Sequence, residues 1–384
     1  MLKKFQAQKQ WEELLKASRR EYDRMGVFFL EEDWITDLHA RTGAFPRILE
    51  ALLSEAETLR SDSEAARYAL FVFRAMEQRK RFLQELPLFT FPEETYPLFA
   101  LLCLLPAIPQ LQAFLEERKL PEDVIRATLG QFEDCVFIHS LRFDRLGLGK
   151  RYFDWLQHYV DCQILNIGRL RFEIVTFSDP IRLLSCRETG EPLLLMGDAD
   201  MNSQGLYADT PPLSPPMFRA SFRETEAFWE GHRVSAAGRC LPEPERFSKQ
   251  EYTILLEPGD TCLSVHIPDK GDFSPESCNA SYRRAAELFR DHFPELTVKG
   301  FCCHSWMLAP ELADILKPGS RITSFSSRYL RHPIRTRGED VLNFVFLLKF
   351  RTYADLPEDT SLQRALKQRY LSGGYLYEYG GVLV

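Results

Sequence analysis

The segment Cys262–Ser277, which reads CLSVHIPDKGDFSPES, decides how the second half of the chain is interpreted. Its first six residues are typical of a mostly apolar strand, and a polar loop with one glycine follows. Ser274 is a preferred N-cap residue and Pro275 fits the first helical position, so a helix is predicted after the loop. His266 therefore lies at the end of a strand before a helix N-terminus, a place that often binds phosphate or carries chemistry.

The next predicted elements repeat this order. The strand VKGFCCHSW (298–306) ends near His304 and precedes a short helix, APELADIL (309–316). A strand–helix–strand crossover of this length predicts that the two strands are parallel and connected with a right-handed sense. Both histidines then lie near the carboxyl ends of neighbouring parallel strands, where ligands tend to bind.

The two halves of the chain have different patterns. Residues 1 to about 145 read as helices, with a further helix expected from Pro121 and a break near Gly130. The predicted helices are QAQKQWEELLKASRREYDRM (6–25), RILEALLSEAETL (47–59) and SDSEAARYALFVFRAMEQRKRFLQEL (61–86). After a last helix near 150–164, the pattern changes to strands, so we expect a helical domain over 1–147 and a mixed α+β sheet domain over 148–384.

Five more segments of the second domain have strand composition: LRFEIVTF (170–177), PLLLMGD (192–198), EYTILLEP (251–258), RITSFSSRYL (321–330) and VLNFVFLLKF (341–350). The turn Glu257-Pro-Gly-Asp260 predicts a hairpin that joins EYTILL to TCLSVHI as antiparallel neighbours. The proline-rich stretch MNSQGLYADTPPLSPPMF (201–218) is predicted to be a loop, either a surface loop or an active-site flap.

Composition limits the classes of function. The net charge of −7 argues against a general nucleic-acid binder. Nine cysteines without a CxxC pair favour a reduced interior, and the N-terminus lacks the apolar region of a secretory signal. The longest apolar candidate, YPLFALLCLLPAI (96–108), contains prolines and is shorter than a membrane span. We therefore expect a cytoplasmic protein that does not bind membranes. Standard nucleotide and hydrolase motifs are absent, and the eight scattered histidines predict no metal site.

Two histidines are candidate catalytic bases. Because side chains alternate along a strand, His266 shares a face with Ser264, and His304 shares one with Cys302. If the two strands splay, both imidazoles can meet in the gap and take a proton from an attacking amine or hydroxyl. The alternative is that each ring is simply hydrogen-bonded within the sheet.

A thioester or ester hydrolase is a further alternative. Its nucleophile would be Cys302, Cys303 or Ser305, and it needs a base on the same face. Ser305 and His304 are neighbours in a strand, so they point to opposite faces and cannot form a nucleophile–base pair.

The segments LSVHIPDKGDFSPESCNASYRRAAELFRDHFPE (263–295) and FCCHSWMLAPELADIL (301–316) resemble a bacterial family of acyltransferases. Members of that family join an N-acyltransferase N-terminal helical domain to a GNAT-like C-terminal domain with flanking helices. The resemblance implies that two central parallel strands splay apart and admit the pantetheine arm of acyl-CoA or acetyl-CoA. It also implies transfer of the acyl group to an amine or hydroxyl of a small-molecule acceptor, with His266 or His304 as general base.

The resemblance also implies which residues bind the co-substrate. The expected contacts are Val265, Ile267, Lys270, Gly271 and Ser274, at the end of the first strand and in the loop that meets the pyrophosphate. The segment PDKGDFS (268–274) stands where the usual GNAT pattern has a glycine-rich loop. An alternative therefore follows, in which the protein kept the GNAT shape as an inactive ligand-binding or regulatory protein.

Overall fold

The structure is a computed structural model that describes residues 9–77, 94–346 and 350–384. The chain divides into two compact units, residues 1–166 and 167–384. This division falls later than position 147, because the helix Lys150–Val160 packs against the helices Phe99–Leu104 and Ile108–Glu117 of the first unit.

The described part of the first unit is helical as far as Val160; the strand Ile164–Ile167, which spans the boundary at residues 166 and 167, is described with the second unit. Its helices are α1 Lys9–Met25, α2 Glu32–Thr42, α3 Leu49–Ser61, α4 Ser63–Glu77, α5 Phe99–Leu104, α6 Ile108–Glu117, α7 Glu122–Leu129, α8 Gln131–Phe143 and α9 Lys150–Val160. Most of α4 and all of α5 are buried, so these two helices form the core of the unit. The predicted helices near 6–25, 47–59 and 61–77 are confirmed where they are described, as is the break at Gly130; residues 78–86 lie outside the described residues.

One stretch of the first unit, Phe99–Glu117, is long and apolar enough to cross a membrane by length and composition. No other such stretch occurs in the described parts of the chain. The prolines expected to break this run, Pro106 and Pro109, lie near the start of helical turns, where proline is tolerated. Because 56% of its apolar window is buried inside the structure, the stretch has the burial of a core helix.

The second unit is built from strands with flanking helices. The strands are β1 Ile164–Ile167, β2 Leu170–Thr176, β3 Ile181–Cys186, β4 Pro192–Met196, β5 Ala199–Met201, β6 Phe218–Ala220, β7 Phe222–Glu224, β8 Phe228–Val234, β9 Cys240–Ser248, β10 Tyr252–Leu256, β11 Thr261–His266, β12 Val298–Ser305, β13 Leu330–Pro333 and β14 Tyr379–Leu383. The helices are α10 Pro275–His292, α11 Leu312–Ile315, α12 Arg321–Ser326 and α13 Ser361–Leu371.

Two six-stranded sheets organise this unit. One has the order β1-β2-β11-β12-β14-β13, and the other has the path β10-β3-β4-β8-β7 with β9 paired to β8. Side chains of both sheets pack into one core, which includes Phe177, Leu183, Met196, Cys262 and Val382. In the first sheet β11 and β12 are parallel and α10 connects them. The predicted parallel pair and the α+β class with a mixed sheet are therefore confirmed.

Three predictions of local structure are wrong. The turn at 257–260 exists, but the strands on either side of it do not form the predicted hairpin. β10 pairs with β3 in one sheet and β11 pairs with β2 and β12 in the other, so the turn carries the chain from one sheet to the other. The segment 321–330 begins as helix α12, because the Ser320 side chain caps it by accepting a hydrogen bond from the Thr323 N–H. Residues 342–346 form a π-helix in which only Phe346 is buried, and 347–349 lie outside the described residues.

Candidate functional site

The two central strands of the first sheet part towards their carboxyl ends. Their parallel pairing runs from Thr261 to the pair Ser264–Cys302, and no later residue of either described strand continues it. On its outer side β11 remains paired with β2 as far as His266. On its outer side β12 remains paired with β14 as far as Ser305. Each strand thus keeps its outer neighbour while the inner pairing ends, which opens a wedge between β11 and β12.

Both predicted histidines lie beside this wedge and on the same face of the sheet. Residues directly opposite in a ladder point to the same side, and Ser264 is opposite Cys302. His266 lies two residues beyond Ser264, and His304 lies two residues beyond Cys302. Alternation along each strand therefore brings both imidazoles to one face, one on each side of the opening.

His304 is oriented by a carboxylate that sequence reasoning missed. Its Nε2 lies 2.7 Å from Oδ2 of Asp179, in the connection between β2 and β3. Because an ionised carboxylate only accepts hydrogen bonds, Nε2 carries the proton and Nδ1 is the lone-pair nitrogen. The His304 side chain is 51% exposed, whereas Asp179 is 14% exposed. A half-exposed imidazole with a fixed tautomer has the form of a general base.

A second imidazole, His332, shares the same carboxylate. Its Nε2 lies 3.5 Å from Asp179 Oδ2, and its ring is fully buried. Burial lowers the pKa of His332 to about 4, against the opposing effect of Asp179, so this ring is neutral at pH 7. Burial of Asp179 favours its protonated form, but the hydrogen bond from His304 and the electrostatic interaction with the two imidazoles outweigh it and lower the pKa of Asp179.

The position between the two rings, on β14, must lack a side chain. Gly380 on β14 is opposite His304 of β12 and also opposite His332 of β13. A Cβ atom at Gly380 would lie 2.1 Å from Cε1 of His332, well inside van der Waals contact. The row His304–Gly380–His332 comes from three strands far apart in the sequence. Only the strand register brings these residues together, so no local signal pointed to Asp179 or His332.

His266 forms a separate imidazole–carboxylate pair. Its Nε2 lies 2.8 Å from Oε2 of Glu173 on β2, and the two side chains are 30% and 12% exposed. Glu173 is directly opposite Ser264, so it occupies the same face as His266. The wedge is therefore bordered by one such pair on the β11 side and another on the β12 side.

The loop after β11 leads into the N-terminus of α10 as predicted. Ser274 is the N-cap and accepts a hydrogen bond of 3.2 Å from the Ser277 N–H. Lys270 and Gly271 are exposed, and Gly271 has φ +100°, a conformation that favours glycine. Val265 is buried on the face opposite His266, and Ile267 is half-buried where the strand ends. The positive end of an 18-residue helix thus faces this loop.

Arg169, between β1 and β2, is a buried cation beside this loop that sequence reasoning missed. Its side chain donates a 2.7 Å hydrogen bond from Nη2 to the Pro268 carbonyl, and its guanidinium lies 5.2 Å from the centre of the Phe273 ring. Only 9% of the residue is exposed, and Nε and Nη1 have no hydrogen-bond partner among the described residues. Burial lowers the pKa of Arg169. A buried guanidinium with two unsatisfied donors is suited to an anion.

The candidate nucleophiles do not form a hydrolase site with these bases. A hydrogen bond with Cys262 and burial raise the pKa of Cys302, and burial raises the pKa of Cys303 to about 12. Both thiols are therefore protonated and unreactive at neutral pH. The Ser305 hydroxyl accepts a hydrogen bond from the Met307 N–H, on the face opposite His304. Residues 9–77, 94–346 and 350–384 contain no group of three His, Cys, Asp or Glu side chains that could hold a metal.

Two family profiles together match most of the chain. A profile described as GNAT-like C-terminal domain matches residues 164–383, and one described as N-acyltransferase N-terminal domain matches residues 33–162. Among proteins with curated descriptions, no similar sequence is found.

Three solved structures illustrate the structural similarity. An acyltransferase in complex with decanoyl-CoA has a TM-score of 0.58 and 19% identity, with 97% of this chain and 98% of that chain covered. An acyltransferase in complex with decanoyl-CoA and teicoplanin has a TM-score of 0.58 and 18% identity, covering 91% and 87%. A mutant acyltransferase in complex with octanoyl-CoA has a TM-score of 0.55 and 17% identity, covering 91% and 98%. At these identities the likeness is one of fold.

Proposed function

Because the chain belongs to the family that joins an N-acyltransferase N-terminal domain to a GNAT-like C-terminal domain, we propose that it transfers an acyl group from acyl-CoA to an acceptor amine. The observation that carries this proposal is the wedge between β11 and β12, with the carboxylate-paired His304 at its edge. Fold alone does not fix activity, whereas the wedge and its oriented histidine are specific to the site.

The wedge suits an extended, amide-containing chain. Beyond the pair Ser264–Cys302 the facing edges of β11 and β12 no longer pair with each other, so their backbone groups need other partners. The pantetheine arm of CoA carries two amides and can supply these partners as a third strand would. Its thioester then lies next to the histidine face of the sheet.

The phosphate end of CoA is assigned to the loop 268–274. The N-terminus of α10 provides a positive partial charge, which favours an anion, although the Ser274 cap already binds the Ser277 and Cys278 N–H groups. Arg169 adds the two unsatisfied donors described above, and Lys270 adds a second cation at the surface. We propose that Arg169 supplies here the phosphate contacts that a glycine-rich loop makes in the usual GNAT pattern.

His304 is proposed as the general base. Its Nδ1 takes a proton from the acceptor amine as the nitrogen attacks the thioester carbon and the C–N bond forms. The C–S bond then breaks, and CoA leaves as a thiol because its sulfur receives the proton from the His304 imidazolium, which restores the base. Asp179 holds the ring and stabilises the imidazolium that forms, while the neutral His332 adds no competing charge. His266 with Glu173 is the second candidate base on the other side of the wedge.

The acyl chain is proposed to be of medium length. The three structures of similar fold contain decanoyl-CoA or octanoyl-CoA, and one also contains teicoplanin. A medium-chain acyl-CoA and a small-molecule or glycopeptide amine are therefore the first substrates to test with this chain. Decanoyl-CoA is the probe for the experiments below.

Binding is tested with the matched thioesters decanoyl-CoA and decanoyl-pantetheine, of which only the first carries phosphates. The wild-type chain should bind decanoyl-CoA more tightly than decanoyl-pantetheine. In Arg169→Gln the ratio of the two dissociation constants should be at least tenfold smaller, since hydrogen bonds to charged groups contribute roughly 1.5–3 kcal/mol. Arg283→Gln, at an exposed position of α10, is the control and should keep it. Equal binding of both thioesters by the wild-type chain would contradict the assignment of the phosphate site.

Transfer is tested by CoA release and by mass spectrometry of the product with a panel of primary amines. An amide product that requires decanoyl-CoA supports acyl transfer, whereas release of decanoic acid alone indicates a thioesterase. Tight binding without either product would favour the alternative of a regulatory protein, which the substitution of PDKGDFS for a glycine-rich loop also suggests. His304→Ala should lower turnover at least 100-fold, the usual minimum contribution of a general base.

A further inference from the structure

A second cavity lies within the sheet unit. Its volume is about 590 Å³, and it is bounded by the proline-rich loop after β5 and by the segment that follows α13. Asn202, Thr210 and Pro211 line it from the loop, and Tyr375 and Tyr377 line it from the segment after α13. The wedge and its histidines are not part of its lining, so the acyl-CoA assignment does not account for this cavity.

The polar lining of the cavity is incompletely paired. Arg239 donates from Nη2 to Oε1 of Glu311, which leaves Arg239 Nη1 and Glu311 Oε2 without a hydrogen-bond partner among the described residues. The Thr210 hydroxyl also has no partner there, and only 2% of that residue is exposed. Buried polar atoms of this kind are normally satisfied, so three of them beside one cavity indicate that a polar molecule completes the site.

Other residues that line the cavity are aromatic and basic. The rings of Tyr375 and Tyr377 are stacked, with centroids 6.0 Å apart and planes 10° apart. The Tyr377 hydroxyl donates to the Pro211 carbonyl and ties the loop to the segment after α13. Arg369 of α13 also lines the cavity and donates from Nε to the Tyr375 carbonyl at 2.8 Å. A flat ring can pack on the tyrosines, while an anionic group can approach the arginine.

The cavity is close to the reacting end of the sheet. Glu311 follows the carboxyl end of β12 after one short turn. The Arg239 guanidinium lies 5.5 Å from the centre of the Tyr379 ring, and Tyr379 is opposite Ser305 in the ladder, so its ring lies on the face of the sheet opposite His304. A molecule held in the cavity would therefore reach the proposed base only by passing the carboxyl end of β12.

We propose that this cavity binds the part of the acyl acceptor that resembles an aromatic amino acid. Glu311 recognises an ammonium group through its unsatisfied Oε2, and Arg369, together with Nη1 of Arg239, recognises a carboxylate. The stacked tyrosines contact the aromatic ring. This inference rests on the proposed acyl transfer, because it assigns the acceptor of that reaction.

The test measures binding of three matched probes to the full chain by calorimetry. L-Tyrosine carries both charged groups, tyramine lacks the carboxylate, and 3-(4-hydroxyphenyl)propionate lacks the ammonium group. We expect tyrosine to bind at least tenfold more tightly than either analogue. Glu311→Gln, which preserves an acceptor for Arg239, should abolish the advantage of tyrosine over the propionate. Arg369→Gln should abolish its advantage over tyramine.

Equal affinities of the three probes, or no binding of tyrosine at millimolar concentration, would overturn the inference. The affinities of the three probes for the wild-type chain test the inference even where a variant does not fold. Decanoyl-CoA is titrated in parallel to separate the two claims. If decanoyl-CoA binds and tyrosine does not, the acceptor site is wrong and the proposed acyl transfer stands. If tyrosine binds in the expected pattern and decanoyl-CoA does not, acyl transfer fails and with it the assignment of the ligand as an acceptor.

Discussion

The substitution Gly380→Ala tests whether the histidine row has the arrangement described. The new Cβ would lie 2.1 Å from Cε1 and 2.5 Å from Nε2 of His332, whereas ordinary contact begins at 3.4 Å. The ring would therefore have to move by about 1.3 Å, the difference between 2.1 Å and 3.4 Å. His332 is fully buried on a strand that pairs with β14 itself, so it has little room to move.

The Gly380→Ala substitution should lower the free energy of unfolding by about 3 kcal/mol, at the upper end of the range for overpacking. For a unit of this size that corresponds to a decrease in Tm of roughly 6–12 °C. Turnover with decanoyl-CoA should also decrease, because displacement of His332 disturbs the Asp179 carboxylate that holds His304. Urea unfolding followed by tryptophan fluorescence gives the loss of stability, and turnover per folded molecule gives the loss of activity.

Gly381→Ala is the matched control, one residue away on the opposite face. Its Cβ would meet Cδ1 of Leu308 and Cβ of Tyr329 at 2.9 Å, contacts that are less severe and do not involve the histidines. This variant should lose less stability and should keep its activity when folded. Adding His332→Ala to Gly380→Ala should recover stability relative to the sum of the single variants. Equal losses of stability and activity in the two alanine variants would refute the arrangement.

Two other substitutions probe the carboxylates. In Asp179→Asn the amide can donate to Nε2 of His304, which moves the ring proton to Nδ1 and removes the basic nitrogen. Turnover of decanoyl-CoA should therefore decrease at least 100-fold while the Kd of decanoyl-CoA stays the same. Unchanged turnover would exclude Asp179 from the mechanism. In the helical unit, burial raises the pKa of Glu55 from 4.5 to about 8, so the folded state binds the proton more tightly than the unfolded state. The free energy of unfolding should therefore decrease as pH rises from 4.5 to 8, by up to about 5 kcal/mol, and Glu55→Gln should abolish this decrease. Urea titrations at several pH values measure it. The same dependence of unfolding free energy on pH in both proteins would contradict the prediction.

The sequence was sufficient for the elements that are contiguous along the chain. The order of β11, α10 and β12, the cap at Ser274 and the parallel pair all follow from one continuous segment, and so does the location of His266 and His304 near the carboxyl ends of these strands. Local composition was misleading where tertiary pairing decided the outcome. The hairpin expected at 257–260 is a crossing between sheets because each flanking strand found a different partner.

The partners of the histidines were beyond sequence reasoning for a physical reason. Asp179 lies in a connection, His332 on a four-residue strand, and Gly380 on the last strand, and each is ordinary in its local sequence. Their proximity depends on the register of three strands. Arg169 was equally inconspicuous, since its burial and unsatisfied donors are consequences of packing against the loop 268–274.

The most direct measurement is a crystal structure of the full chain with S-decyl-CoA, a thioether that cannot transfer its chain. We expect the pantetheine arm between β11 and β12, the sulfur beside His304, and the pyrophosphate within hydrogen-bond distance of Arg169. A ligand bound elsewhere, or β11 and β12 paired beyond Ser264–Cys302 with the ligand outside the sheet, would contradict acyl-CoA binding in the wedge.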